Sequence, residues 1–161
     1  MAKSIIARRQ GDEYQSLKFW ICAIDLIITD FVELVTFESG EVNFIDDIVV
    51  RYSEKMCERT TGKRYRCDYI QCKYHTANNG AFTYENLINP DFINTKDYML
   101  KSLYDAYLKL YNDENEFRLI VFSNWSWHPD NKMSPHISSE GIIRDSFYDG
   151  SPRSALGKIR K

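Results

Sequence analysis

Between residues 11 and 29, apolar side chains recur at Tyr14, Leu17, Ile21, Ile24 and Ile28. That spacing follows the turns of an α-helix and predicts one with a single buried stripe. The period then changes. Val32, Leu34 and Val35 interleave with Glu33 and Thr36 in FVELVTFES, predicting a strand over 31–39. Ser39-Gly40 makes a turn, and NFIDDIVVRY (43–52), rich in β-branched residues, predicts a second strand. A basic stretch around Gly62 has no clear period. RYRCDYIQCKYH (64–75) predicts a third strand, and Asn78-Asn79-Gly80 has turn chemistry.

Farther on, FTYENLI (82–88) predicts a short helix that Asn89-Pro90 ends. Residues 95–111 repeat Tyr98/Met99, Leu103, Ala106/Tyr107 and Leu110 at helical spacing, with Asn94 as the expected N-cap and Asp97 three residues on. FRLIVFSNW (117–125) is a continuous apolar run of the kind buried on both faces of a sheet. From Ser126 the chain reads as loop, before a short last helix over 155–161 capped by Ser154. A helix of about two turns docks poorly, so a longer multi-domain protein is expected to continue from it. The order helix, three strands, helix, strand predicts an α/β domain on a mixed sheet flanked by helices, spanning 1–161 as one unit.

Composition narrows the class. With 161 residues, 43% of them hydrophobic and 14% aromatic, the chain packs as a globule. Cys22, Cys57, Cys67 and Cys72 form no C-x-x-C pair and no zinc spacing, so they read as reduced thiols of a cytoplasmic protein. No signal peptide and no apolar run of membrane-spanning length is present. The net charge of −2 hides a polarised distribution. Residues 51–73 carry seven basic and three acidic side chains, whereas 85–117 carry seven acidic and three basic ones. Basic patches of this kind face phosphates or simply water.

The candidate chemistry lies in DYIQCKYH (68–75). On a strand, Gln71 and Lys73 share a face about 7 Å apart. If strands two and three pair, Asp47 lies about 5 Å across the ladder from them. A carboxylate, an amide oxygen and an ammonium then converge, with Glu38 at the end of strand one as a second carboxylate. Hard oxygen donors of this type, including the backbone carbonyl of Cys72, suit Mg²⁺, for which Mn²⁺ substitutes. Lys73 would stabilise charge building on a phosphate. Asp46 is the rival for the role of Asp47.

An Asp, a strand's length of spacer and then Gln-x-Lys resembles the PD-(D/E)XK restriction-endonuclease-like superfamily in its Gln-x-Lys, Mrr-type variant. GDEYQ (11–15) resembles the helix signature that opens such members and implies Gln15, or Glu13, near the site. Together with DDIVV, SNW and RSALGKIRK, these motifs resemble the dsDNA endonuclease domain of anti-phage effectors, both the CBASS type with a SAVED sensor and Lamassu-type defence nucleases. The resemblance implies a metal-dependent, sequence-relaxed endonuclease on double-stranded DNA. It also implies a homo-oligomer when activated and a sensor domain or partner subunit outside this chain. The usual acid of the motif is Gln71 here, which removes one negative charge from the metal site. Lys73, Arg51, Lys55, Lys63, Arg64 and His75 are the expected nucleic-acid contacts, with a rim histidine as the other reading of His75. A catalytically inactive DNA-binding or assembly module and an RNA nuclease are the alternatives.

Overall fold

The computed structural model describes residues 2–59, 61–77, 80–92, 96–111, 116–139 and 141–143. The Asn78-Asn79 turn, Asn94 and the helix over 155–161 lie outside the described residues, but the helix expected over 95–111 starts at Met99 with Tyr98, not Asn94, as its N-cap. Helix α1 (Ala2–Ile28) leads into strands β1 (Val32–Phe37), β2 (Ile48–Cys57) and β3 (Arg64–Lys73). Then come β4 (Ala81–Phe82), the one-turn helix α2 (Tyr84–Leu87), helix α3 (Met99–Leu110), β5 (Phe117–Ser123) and β6 (Ser126–Trp127). The main sheet has the order β1-β2-β3-β5, antiparallel except where β5 runs parallel to β3. This is the mixed α/β sheet flanked by helices that the sequence pattern predicts.

Alternation along the strands builds two cores. Ile48, Val50 and Ile70 face α1 and pack with Cys22 and Val32. Val49, Cys67 and Tyr69 face the other way, toward Ile45 and Ala106 of α3. A third cluster of Phe82, Leu87, Met99 and Met133 lies under the β4–β6 pair. Thr83 caps α2 through a reciprocal capping box with Asn86. Gly80 is obligatory here, because a Cβ at that position would overlap the ring of Trp125.

Several expectations are corrected. β2 starts at Ile48, five residues later than the pattern suggests, and runs to Cys57. The preceding segment turns instead, with Glu38, Gly40 and Phe44 at positive φ. The first helix begins at Ala2 rather than near residue 11. β5 is the sheet edge, half-buried along its whole length, and not a strand covered on both faces. Ser126–Trp127, read as loop, pairs with β4. The expected buried stripe of α1 is the largest departure. Tyr14, Phe19 and Cys22 turn toward the sheet, while Leu17, Ile21, Ile24 and Ile28 stay exposed. Residues 17–28 are apolar on nearly every side, so periodicity alone could not say which side meets the sheet.

Candidate active site

The β2–β3 register pairs Ile48 with Ile70, so the next step along the ladder sets Asp47 opposite Gln71. β2 has not yet begun at that point, and the carboxylate of Asp47 takes over the ladder's work. The backbone N–H of Cys72 donates to Asp47 Oδ2 at 2.7 Å. Gln71 Nε2 donates to the same oxygen, and also to the carbonyl of Cys72 at 3.3 Å. Gln71 is 6% exposed while Asp47 and Cys72 are half-buried, so the junction lies at the edge of the core. On the other side of Asp47, its carbonyl accepts from the N–H of Glu38 at 2.8 Å, which holds the end of β1 against it.

Burial pushes the carboxyl of Asp47 above the usual carboxylate range. The Cys72 N–H and Lys73 oppose that shift, while Asp46 and Glu38 reinforce it. Lys73 follows the opposite logic. Burial lowers its pKa, and Asp47 only partly restores it. Its ammonium lies 5.0 Å from the centroid of the Phe44 ring. A sequence reading treats Lys73 as exposed on one face of the sheet; the structure makes it half-buried.

The donor set fits a hard cation. Gln71 Nε2 is a positively polarised group standing between Asp47 Oδ2 and the Cys72 carbonyl, where two of the expected oxygen ligands converge. A half-turn of that amide exchanges its nitrogen for Oε1 and would complete an all-oxygen set of carboxylate, amide and carbonyl. Among the described residues, no three His, Cys, Asp or Glu side chains cluster to hold a metal. Such a site would therefore draw on the Gln71 amide and the Cys72 carbonyl beside the Asp47 carboxylate.

The remaining candidates divide. Asp46 gives its carbonyl to the Ser39 N–H and acts on the site mainly as a neighbouring charge. Glu13 is exposed and bonded to Arg9 at 2.9 Å. Gln15 is half-buried, and its Nε2 is buried without a hydrogen-bond partner. Arg51 is held by both carboxylate oxygens of Glu41, at 2.9 and 2.7 Å, and Lys55 by Glu116. Lys63 and Arg64 are exposed at the start of β3, roughly 30 Å along the strand from Lys73. The fold does not bring them to the junction.

His75 belongs to an aromatic cluster. Its ring stacks on Trp125 at 3.8 Å and on Phe92 at 5.3 Å, and burial lowers its pKa with help from Lys73. Its backbone N–H and carbonyl are both engaged by the Asn124 side chain at 2.8 Å. Sequence reasoning missed Phe44 and Asn124. The Asn-Trp pair directly after the last apolar run was the only visible signal for the second, and nothing local marked the first.

Fold and site together define a class: an α/β sheet domain carrying a carboxylate–amide junction at the edge of its core beside a half-buried lysine. No protein-family model matches the chain. The chain is similar along its entire length to CD-NTase-associated protein 4 of Enterobacter hormaechei subsp. hoffmannii, with 32% identity over 167 residues. That alignment spans 33% of the relative, so the chain covers about a third of its length. Among the described residues, no helix is long and apolar enough to cross a membrane.

Proposed function

We propose that this chain is a metal-dependent endonuclease domain that hydrolyses phosphodiester bonds of double-stranded DNA with little sequence preference. It acts as an effector in bacterial anti-phage defence of the CBASS kind and is switched on by oligomerisation through a fused sensor domain or partner subunit. One observation carries the reading: Asp47, Gln71 and the Cys72 carbonyl meet at one point, with Lys73 next in the chain. The similarity to a CD-NTase-associated protein supports the defence role.

In this reading Asp47, Gln71 and the Cys72 carbonyl would hold Mg²⁺ or Mn²⁺, with Glu38 and Gln15 in support. The bound cation would supply Lewis acidity toward a phosphoryl oxygen and a more acidic water. Lys73 does the chain's own electrostatic work, holding an ammonium where negative charge builds on the phosphate. Its half-burial strengthens that field, because little water lies between the charges to screen them. The buried amide in place of an acid keeps the site's charge low, so DNA phosphates contribute to holding the metal.

A second reading, a nuclease-fold module that binds or assembles without cutting, is favoured by the lack, among the described residues, of three His, Cys, Asp or Glu side chains clustered to hold a metal. Incubation with supercoiled plasmid separates the two. Cleavage is expected with Mg²⁺, lost on chelation, and rising steeply with protein concentration. Lys73→Ala should fold yet leave the plasmid intact. Cleavage that persists in a clean preparation of that variant refutes the assignment.

A further inference from the structure

The apolar stripe that the sequence offers to a core remains on the outside of the domain. Leu17, Trp20, Ile21, Ile24, Ile27 and Ile28 are 64, 62, 57, 50, 85 and 68% exposed. α1 is already fixed to the sheet by its other side, through Tyr14 stacked on Phe122, Phe19 against Phe37, and Cys22. Lys18 also turns that way, its ammonium 4.8 Å from the Phe122 ring centroid. The stripe itself carries no charged side chain.

We propose that a second copy of this chain covers the stripe, α1 packing against α1 in a two-fold pair. Spacing argues for a helix as the partner. Leu17, Ile21, Ile24 and Ile28 are separated by four, three and four residues, the alternation that forms the seam between two helices. Trp20 and Ile27 precede the seam positions by one residue and flank it. Identity argues for the same chain. A two-fold pair presents the same seam on both sides and so buries the patch on both copies at once.

The area agrees. Six apolar side chains, each at least half exposed, leave on the order of several hundred Å² per copy, within reach of the roughly 800 Å² each partner buries in a standard interface. Patches of this size are rare on isolated monomers. The stripe also continues toward the candidate active site. The ring of Trp20 meets Phe19 edge-on at 5.4 Å, and Phe19 meets Phe37, the residue before Glu38. Pairing would therefore stiffen the end of β1 that holds Asp47, which deepens the reading of an assembly-switched nuclease and rests on it for that consequence alone.

Sedimentation equilibrium of the 161-residue chain, from low to high micromolar concentration, tests the pairing without reference to cleavage. A monomer–dimer equilibrium is expected, with Ile24→Glu raising the dissociation constant at least about thirtyfold. Ile27→Gln, at the most exposed position, should weaken pairing without touching the domain's interior; thermal melting checks that both variants fold. A wild-type chain that stays monomeric throughout the range overturns the proposal and leaves the face to another part of a longer protein. Dimers unaffected by both substitutions overturn it as well. A dimeric chain without nuclease activity counts against the nuclease reading only, and an active monomer against the pairing only.

Discussion

Asp47 sits in a tension that mutation can expose. Its Oδ2 accepts from the Cys72 N–H and from Gln71 Nε2, yet burial works against its charge and raises its pKa. Asp47→Asn keeps an acceptor oxygen for both donors and removes the charge. The raised pKa means that the folded surroundings favour the uncharged form relative to water. The substitution should therefore leave the melting temperature unchanged or raise it slightly, while abolishing Mg²⁺-dependent cleavage. Asp47→Ala removes the acceptor too. It strands the Cys72 N–H, and Gln71 Nε2 keeps only the 3.3 Å contact to Cys72. An unmet buried donor costs about 1–3 kcal/mol, so a loss of roughly 2–4 kcal/mol is expected for the pair. For a domain of this size that lowers the melting temperature by roughly 5–15 °C.

The pH dependence of stability has a definite sign. With the folded pKa above the ordinary 3.8, the native state binds more protons than the unfolded chain between the two values. Stability from this group therefore falls as pH rises through that window, and the penalty is complete once pH has passed the folded pKa. Asp47→Asn lacks the penalty, so its melting temperature relative to wild type should climb from acid to neutral pH. Scanning calorimetry of the three proteins across that range measures it. An Asn variant as unstable as the Ala variant, or one that still cuts DNA, refutes the reasoning.

Lys73 must be protonated to stabilise phosphate charge, and burial holds its pKa below 10.5, so cleavage should decline on the alkaline side before that value. The accompanying stability term has the opposite sign, increasing as pH rises from the folded pKa to 10.5; an unchanged alkaline limb in Lys73→Arg would assign it to another group. In the middle of β3, three residues before Gln71 and on the opposite face, Asp68 is buried and held by Arg118 through two bonds of 2.7 and 2.6 Å, with the Tyr52 hydroxyl at 2.8 Å. Arg118→Met would leave that carboxylate without its cation and should cost about 3 kcal/mol, read as a fall in the denaturation midpoint with little change in the Asp47 junction. The guanidinium also covers the Tyr65 ring at 3.7 Å, so a variant of wild-type stability would show that neither contact matters.

Much of the architecture follows from local pattern. The Ile48-Val49-Val50 run, the alternation through Ile70-Gln71-Cys72-Lys73 and the helical spacing of Leu103, Ala106 and Leu110 each dictate an element and its inward side. The pairing of Asp47 with Gln71 was legible for the same reason, since antiparallel neighbours with matching apolar runs have one favourable register. What lies between the runs was not. The turn over residues 38–47 depends on left-handed backbone at Glu38 and Phe44, which residue type disfavours and only the surrounding packing imposes.

Partner choice also belonged to the tertiary structure. Sequence alone could mark Arg51 and His75 as free to meet phosphate, but Glu41, across the turn before β2, and Trp125, from a distant part of the chain, come to them in the fold. The stripe of α1 makes the same point in reverse. Periodicity established that Leu17, Ile21, Ile24 and Ile28 want to leave water. Only the packing of Tyr14, Phe19 and Cys22 against the sheet decided that they would not do so inside this domain, because a helix apolar all round has one side to give to a single layer.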